Sequence, residues 1–236
     1  MTTILQKGYK GKGMDGFIAR FYDKTARLHI MEQYKIWALS LKKLIPNDAH
    51  LLEVAPGPGY LSIELAKCGI SRITGVDISE SFVEIAVQNA KKAGVQIDFK
   101  QGDASALPFG DGEFSHVICT SAFKNFSAPL DALKEMYRVL ASDGIAWLCD
   151  MRHDVSDVEI DRYVQDMMKL KGLNSLFTKI TFKTMLRKWA YTKDSILDLI
   201  SKTPFKVISF EQNAMEFYVV MKKQPKPIQG DFSRAS

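Results

Sequence analysis

Apolar and polar positions along the chain follow two alternating patterns. Five short apolar runs of strand length lie between residues 51 and 149, and stretches with apolar residues three or four positions apart follow most of them. Strands that alternate with helices predict right-handed crossovers, a parallel sheet and helices on both of its faces. The predicted strands cover residues 51–55, 72–77, 96–101, 116–120 and 145–149.

Helical spacing replaces this alternation on both flanks. Residues 17–44 predict one or two helices that end before Pro46. After the fifth strand, helices are predicted at residues 156–170 and 181–189, with a break at 172–174. An insertion there lies at the carboxyl ends of the strands, where open α/β sheets bind ligands. We interpret it as a lid, with a packing appendage as the alternative.

Two apolar runs near the end of the chain predict a change of strand direction. Residues 205–210 and 215–221 are joined too closely for a helical crossover, so this last pair must be antiparallel. A helix near residues 194–201 precedes them. Residues 1–14 and 224–236 are polar and lack a period, and we expect the first segment to be mobile and the second disordered.

The sequence LLEVAPGPGY, residues 51–60, organises the alternating region. Its apolar run ends in a turn of glycine and proline, and a helical stretch follows directly. A strand that turns on glycine into a helix brings bare backbone and unpaired N–H groups close to a ligand. Asp77 ends the second strand at about the spacing where nucleotide-binding folds place a carboxylate on ribose hydroxyls, so the pattern predicts a nucleoside site.

Two cofactor classes could use such a crossover. A nicotinamide site requires a third glycine where this chain has Ser62, and the carboxylates of Glu53 and Asp103 would repel a pyrophosphate. S-adenosylmethionine carries a cationic sulfonium and ammonium, a diol and a donating amine, all of which suit a pocket rich in carboxylates. The pattern therefore favours S-adenosylmethionine.

At these residues the chain resembles the class I S-adenosylmethionine-dependent methyltransferases, in the small-molecule branch (methyltransferase domain 11-like). Four motifs in order carry the resemblance, which covers roughly residues 17–222: LLEVAPGPGY, VDISESFVEIA, GDASALPF and ALKEMYRVLASDG. The resemblance implies a Rossmann-like, doubly wound α/β fold with a seven-stranded sheet, mostly parallel with an antiparallel last strand. We expect an N-terminal helical cap (1–46), a methyltransferase domain (47–223, including the 154–191 lid) and the tail.

The roles that the resemblance implies fall on matching positions. Glu53 would orient the loop and take the cofactor's ammonium, Asp77 would accept from the ribose hydroxyls, and Asp103 would accept from the adenine amine. Acids that only cap helices or close turns are the alternative. The other implied cofactor-binding residues are Ala55, Gly57, Gly59, Ile78, Ala104 and, near the sulfonium, Cys119 or Thr120.

The chain departs from the family pattern in three places. Ala55 replaces the first glycine of the loop, Ser115 replaces a common aspartate, and residues 123–126 (FKNF) lie where many relatives carry histidines. No histidine is therefore well placed as a general base, and the one histidine of interest is His153, after the fifth strand. The histidines expected to be structural are His29, His50 and His116.

The acceptor is expected between the fourth strand, the fifth strand and the lid. Tyr22 resembles a tyrosine that relatives place over the cofactor, and a core aromatic is an equal alternative. Arg152 is interpreted either as a clamp for an anionic acceptor or the cofactor's carboxylate, or as a lid-anchoring partner of Asp154 or Asp157. The predicted pocket comprises Tyr22, Phe123, Asn125, Asp150, Arg152 and His153, of which Tyr22, Asn125, Arg152 and His153 are the candidate catalytic residues.

Composition and charge narrow the class of protein. A hydrophobic content of 46% over 236 residues can bury one full core. Three separate cysteines in apolar runs indicate core thiols in a reducing compartment, and we expect no metal site. No leader or bilayer-spanning run is evident, so we expect a cytoplasmic protein with no membrane partner. The net charge of +5 divides into an acidic centre and basic flanks. We interpret the flanks as solvated lysines, with attraction of an anionic substrate or nucleic acid as the alternative.

Three functions remain at this point, in decreasing order of preference. The first is methylation of a small-molecule acceptor by in-line displacement at the sulfonium methyl, driven by proximity and orientation, with S-adenosylhomocysteine as the product. The second is consumption of the cofactor by cyclisation or elimination without methylation. The third is modification of nucleic acid or protein, although the fourth strand reads CTSAF instead of an NPPY-like signature. Monomer and homodimer both stay open.

Overall fold

The computed structural model of the protein describes residues 9–10 and 14–224. The expectations for residues 1–14 and 224–236 therefore lie almost wholly outside the described residues. The N-terminal part forms two helices that end before Pro46, as predicted. The elements up to the fourth strand are α1 (Phe17–His29), α2 (Met31–Lys42), β1 (His50–Val54), α3 (Tyr60–Lys67), β2 (Arg72–Asp77), α4 (Glu80–Ala93), β3 (Asp98–Gln101) and β4 (Phe114–Thr120).

A short 3₁₀ turn, Phe123–Asn125, follows β4 and leads to the second half of the fold. The remaining elements are α5 (Pro129–Val139), β5 (Leu140–Met151), α6 (Asp157–Arg162), α7 (Gly172–Thr181), α8 (Arg187–Trp189), α9 (Lys193–Ser201), β6 (Phe205–Gln212) and β7 (Glu216–Lys223).

Within the described residues, seven strands form one sheet in the order β3-β2-β1-β4-β5-β7-β6. The pairs among β1 to β5 are parallel, whereas β7 runs antiparallel to both β5 and β6. This arrangement confirms the predicted α/β fold and its reversed last strand. The reversal follows from the short connection between β6 and β7, which leaves no length for a crossover helix.

Two apolar cores cover the two faces of the sheet. In β1, Leu51 points into the core with α2 and α3, and Leu52 points into the core with α5 and α9. In β5, Trp147 and Leu148 divide between the same two faces. Because successive side chains of a strand point to opposite faces, a central strand covered on both sides must be apolar throughout. Burial on both faces therefore explains the continuous apolar runs in the sequence.

The segment after β5 is helical, but its predicted break was wrong. Residues 172–174 do not interrupt a helix, because α7 begins at Gly172 and continues through a π-helical turn into α8. The interruption lies earlier, after the π-helical turn Tyr163–Met167 that extends α6. Lys169 there has a φ of 53° and Gly172 a φ of 59°, so the two residues turn the chain into the new helix.

The described helices include none that is both long enough and apolar enough to cross a bilayer.

Candidate functional site

A cavity opens at the carboxyl edge of the parallel strands, where β1, β2 and β4 end. It holds about 830 Å³, counting the space open to solvent at its mouth, which suits a nucleoside together with a small second molecule. Residues from the loops after all four of β1 to β4 contribute to its walls, as do α1 and α2. The lining residues are Tyr9, Met14, Tyr22, Tyr34, Ala55, Pro56, Gly57, Pro58, Val76, Asp77, Ile78, Ser79, Phe82, Gly102, Asp103, Ala104, Thr120, Ser121, Ala122, Asn125 and Phe126.

The loop after β1 carries three residues in the left-handed region within five positions. Gly57 has a φ of 54° and Gly59 a φ of 79°, and Ala55, which replaces the family's glycine, has a φ of 57°. An alanine held there costs about 1–2 kcal/mol relative to the right-handed region. Gly57 lines the cavity, whereas Gly59 caps α3 and packs so closely that a Cβ would lie 2.8 Å from Phe99.

Asp77 connects this loop to the start of α4. The backbone N–H groups of Gly57 and Ser79 each donate to its carboxylate, at 2.9 Å, and Ser79 in turn caps α4 by accepting from the Phe82 N–H. Burial raises the pKa of Asp77 to about 6, against the lowering effect of these hydrogen bonds. The carboxylate is therefore held in a fixed position at the wall of the cavity, with Ile78 next to it.

Glu53 lies beneath the loop instead of in the cavity wall. It is 1% exposed, and the Ser62 hydroxyl of α3 donates to it at 2.5 Å. Burial raises its pKa to about 7. Glu53 is not among the residues that line the cavity. Its hydrogen bond with Ser62 joins β1 to α3, the two elements that flank the loop.

These two buried carboxyls predict how the ligand-free protein responds to pH. Both pKa values are raised above those of the unfolded chain, so the folded chain binds more protons between about pH 4 and pH 7. Stability from this source is present at low pH and is lost as the pH rises through that window. We expect Glu53→Gln to flatten this decline in melting temperature, and the exposed control Glu84→Gln to leave it unchanged. Parallel declines in all three proteins would contradict the assignment.

The loop after β3 provides the second carboxylate of the cavity. Asp103 accepts from both the N–H and the hydroxyl of Ser105 at 2.8 Å, which closes a tight turn, and Ala104 lies beside it in the cavity wall. Gly102 permits this approach, because a Cβ there would lie 2.8 Å from a Val76 methyl carbon. Asp103 and Ala104 therefore lie where the sequence predicted them, across the cavity opening from the β1 loop.

The end of β4 separates the two predicted floor residues. Thr120 lines the cavity, whereas Cys119 is fully buried in the apolar core. Alternation along a strand allows only one of two neighbours to face the cavity. Of the two possibilities for the floor, the structure places only the threonine there.

The predicted acceptor residues do not form one group. Tyr22 and Asn125 line the cavity, and the Tyr22 ring meets that of Phe82 edge to face. Phe123 is buried and packs on Phe126 and Tyr191 instead.

Arg152 and His153 lie away from the cavity. The Arg152 guanidinium donates to Asp154 at 3.0 Å and to the Asn213 carbonyl at 2.5 Å. His153 Nδ1 lies 2.8 Å from the Arg187 carbonyl oxygen. Residues 154–191 are all described, and none of them lines the cavity. The contacts of Arg152 correspond to the anchoring alternative.

Of the other histidines, His50 and His116 lie near the amino-terminal ends of β1 and β4, at the opposite edge of the sheet. Their rings contact the Glu113 carbonyl and the Ser115 hydroxyl, respectively. The side chain of His29 lies outside the described part of the structure.

Asp150 has a structural partner that the sequence did not indicate. It is 0% exposed, and Lys124 Nζ, itself nearly buried, lies 2.8 Å from its carboxylate. The backbone N–H groups of Lys124 and Met151 also donate to it, and Lys124 Nζ donates to the Ser121 carbonyl. This cluster fixes the 3₁₀ turn that carries Asn125.

Asn125 is the polar residue at the acceptor end of the cavity. It is 6% exposed, and its side-chain oxygen has no hydrogen-bond partner among the described residues. Its backbone carbonyl accepts from the Lys10 N–H at 2.7 Å, and Tyr9 pairs with Phe126 in an isolated bridge. A buried acceptor without a protein donor normally pairs with an ordered water or with a ligand group.

Several cavity residues were missed by the sequence interpretation. Tyr9 lies in a segment that lacks periodicity. Tyr34 is one of the apolar residues at helical spacing in residues 17–44, so nothing in the pattern distinguishes it. One available signal was the pair of acids in a basic N-terminal region. Asp15, just before α1, accepts from Ser79 and Ser81 at the start of α4. Asp23 accepts from Tyr60 and Asn89, and so attaches α1 to α3 and α4.

The charge of the cavity identifies the kind of ligand that fits. Its lining contains the carboxylates of Asp77 and Asp103 and, among the described residues, no lysine, arginine or histidine. A pyrophosphate would have no cationic partner there, whereas a diol, an amine and a sulfonium would each find acceptors or a negative field. The residues present therefore fit S-adenosylmethionine. No cluster of His, Cys, Asp or Glu suited to a metal ion occurs among the described residues.

Comparisons with known proteins agree with this chemistry. A family model described as a methyltransferase domain matches residues 52–148. The ubiquinone/menaquinone biosynthesis C-methyltransferase UbiE of Geotalea uraniireducens is 28% identical over 216 residues, covering 88% of this chain and 89% of that protein. The demethylmenaquinone methyltransferase of Deinococcus radiodurans is 33% identical over 141 residues, and the match spans 58% of each chain.

The fold also matches solved structures. A protein from Methanococcus maripaludis, described as a candidate S-adenosyl-L-methionine-dependent methyltransferase, superposes with a TM-score of 0.73. The match covers 93% of this chain and 98% of that one. At 19% identity, this likeness concerns the fold alone.

Proposed function

The chain is a class I S-adenosylmethionine-dependent methyltransferase, and we propose that its acceptor is a small, uncharged aromatic ring that bears a hydroxyl group. The observation that carries this proposal is the unpartnered side-chain oxygen of Asn125 in a cavity that several aromatic side chains also line. Quinols have this chemistry, and the relatives' names place their substrates in the quinone class.

The wall around Asn125 favours a flat apolar molecule. Tyr9, Tyr22, Tyr34 and Phe126 line the cavity together with Asn125. Aromatic side chains bind a ring through large buried area and through stacked or edge-to-face contacts. An anionic acceptor would lose its hydration there without gaining an ion pair, because Arg152 is bound to Asp154 and Asn213.

Orientation is the contribution of this chain to catalysis. When bound, S-adenosylmethionine supplies a methyl group on a cationic sulfur, an electrophile that needs no further activation. Asn125 accepts a hydrogen bond from the acceptor hydroxyl and fixes the ring, while the tyrosines exclude water. Alignment of this kind can contribute about 7–11 kcal/mol in favourable cases. On transfer, the sulfonium S–C bond would break as the ring carbon gains the methyl group. S-adenosylhomocysteine would leave, and the proton of the ring carbon would pass to solvent.

A labelled-methyl assay tests the acceptor class. The acceptors compared are a naphthoquinol that lacks a ring methyl group, kept reduced, an aliphatic amine, a carboxylic acid and duplex DNA. We expect label on the quinol and S-adenosylhomocysteine as the co-product. Transfer only to the amine, the acid or DNA would overturn the proposal. Release of methylthioadenosine without any acceptor would instead assign the cofactor-consuming alternative.

Replacement of Asn125 tests its role directly. Asn125→Ala should lower kcat/KM for the quinol by roughly tenfold, because one hydrogen bond of about 1–1.5 kcal/mol is lost. S-adenosylmethionine affinity and melting temperature should not change, since the side-chain oxygen has no partner in the unliganded protein. Asn47→Ala, at an exposed site on the opposite edge, is the control. A lower melting temperature with unaltered kcat/KM would assign Asn125 a purely structural role.

A further inference from the structure

The outward face of α7 is apolar, which is the reverse of an ordinary surface helix. Leu173, Leu176, Phe177 and Ile180 are 84%, 56%, 70% and 51% exposed. All ten residues of α7 are described, and the only buried one is Ser175. In a surface helix, the apolar stripe normally faces the core and the polar residues face water. Because positions i, i+3, i+4 and i+7 lie on one side of a helix, these four side chains form a continuous stripe.

The inner side of α7 explains why the stripe points outward. The small core below it is formed by residues of α6, of the π-helical turn that extends α6, of the end of β5 and of the turn before β7, including Met151, Val164 and Met215. This core is completed by Phe182 and Leu186 from the π-helical turn after α7. The apolar residues of α7 itself are therefore not needed to complete the core below them.

Positive charge surrounds this stripe. Residues 167–189 contain six lysines and arginines and no acidic residue. Lys179, Lys183 and Arg187 are directed towards Asp157 and Asp161 of α6. The side chains of Lys169 and Lys171, just before the helix, and of Lys188, just after it, are exposed.

We propose that α7 is an interfacial helix that docks the protein on an anionic lipid bilayer. An exposed apolar stripe bounded by lysines is the pattern that inserts into the headgroup boundary, with the cations on acidic headgroups. A protein partner would need an apolar groove surrounded by acidic residues. An anionic membrane presents acidic headgroups above an apolar interior over its whole surface. This proposal departs from the expectation of no membrane partner, which was drawn from the lack of an evident leader or spanning run. Surface docking requires neither.

The position of the helix is consistent with this role. The core under α7 lies at the carboxyl end of β5 and the start of β7, which is the edge of the sheet where the cavity opens. Docking by α7 therefore brings that edge towards the bilayer. The docking proposal does not depend on the identity of the acceptor, because its test measures vesicle binding and not turnover.

Vesicle flotation with the full-length protein tests the proposal. We expect binding to phosphatidylcholine vesicles that contain phosphatidylglycerol, weaker binding to pure phosphatidylcholine, and loss of binding at high salt. Leu176→Ser/Phe177→Ser should weaken binding by about tenfold or more, because two large apolar side chains no longer insert. The matched control is Ile36→Ser/Leu39→Ser on α2, whose side chains are 45% and 62% exposed, and it should bind like wild type.

Charge is tested in the same way. Lys169→Glu/Lys171→Glu should weaken binding to the anionic vesicles, and Lys91→Glu/Lys92→Glu at the end of α4 should not. Binding that the α7 substitutions leave unchanged, or absence of wild-type binding to anionic vesicles, would overturn the proposal. It would also be overturned if wild type failed to bind vesicles and formed dimers that the α7 serine variant abolishes, because a second copy would then cover the stripe.

Discussion

Asp77→Ala is expected to weaken S-adenosylmethionine binding by about 2–4 kcal/mol, or roughly 30- to 700-fold in Kd. Hydrogen bonds to a charged group contribute about 1.5–3 kcal/mol each, and two ribose hydroxyls can donate to this carboxylate. A second effect acts in the same direction. The alanine variant leaves the Gly57 and Ser79 N–H groups without their acceptor, so the loop loses its fixed position. Calorimetry measures the change.

Two further variants separate binding from folding. Asp77→Asn keeps one acceptor oxygen for the loop but lacks the charge, so its affinity should fall between those of wild type and alanine. Asp98→Ala removes an acid at the far end of β3, where Asp98 pairs with Lys100 and is exposed, and should bind normally. An unchanged Kd in Asp77→Ala, or tight binding of NADH by wild type, would contradict the assignment of the site.

The cofactor side of the site could be predicted from the sequence because its parts are local. In a parallel sheet, the residue that ends each strand comes to the same edge, so Asp77, Asp103 and Thr120 were placed by strand ends alone. The glycine-containing turn of residues 55–59 predicted where the backbone comes close to the ligand. A shift of one position along a strand turns a side chain to the other face of the sheet. Cys119, one position before Thr120, lies in the apolar core for this reason.

The acceptor side could not be predicted in this way because it depends on contacts between distant segments. Tyr9 reaches the cavity through a bridge to Phe126, more than a hundred positions away. Arg152 follows β5 at the correct edge, but Asp154 and Asn213 hold it elsewhere. The sequence shows which residues are near a strand end. It does not show which hydrogen-bond or ion-pair partner each long side chain contacts.

The apolar stripe of α7 shows a limit of periodicity itself. Leu173, Leu176, Phe177 and Ile180 have ordinary helical spacing, which the rule for surface helices assigns to a core. The hydrophobic pattern defines one face of a helix, but it does not define the direction of that face. The direction depends on the tertiary contacts below, which Phe182 and Leu186 already satisfy.

Lys124 is the residue whose burial was least predictable. A lysine in the sequence FKNF is expected to be exposed to solvent, because lysine is almost never fully buried unless it is paired. Its partner Asp150 lies 26 positions away at the end of the neighbouring strand. The pair sits in a region of low dielectric, where each charge is tolerated only because the other is present.

We therefore expect Lys124→Met to lower the free energy of unfolding by about 3–5 kcal/mol, because Asp150 is left as an uncompensated buried charge. For a chain of this size, the melting temperature should fall by roughly 6–20 °C. Lys202→Met breaks an exposed pair with Asp198 and should cost about 1 kcal/mol or less. Thermal and denaturant unfolding of the three proteins measure both effects.

A double variant distinguishes a lost charge partner from lost packing. Lys124→Met/Asp150→Asn removes the buried charge and keeps one acceptor oxygen. The backbone N–H groups of Lys124 and Met151 donate to different oxygens of Asp150, so the asparagine keeps one of these two hydrogen bonds. If uncompensated charge causes the loss, the double variant should regain at least half of the stability that the single variant loses. If the double variant is less stable than Lys124→Met, the cost lies in packing and hydrogen bonds. An unaltered melting temperature in Lys124→Met would show instead that water reaches Asp150 and that the 3₁₀ turn bearing Asn125 is held by other contacts.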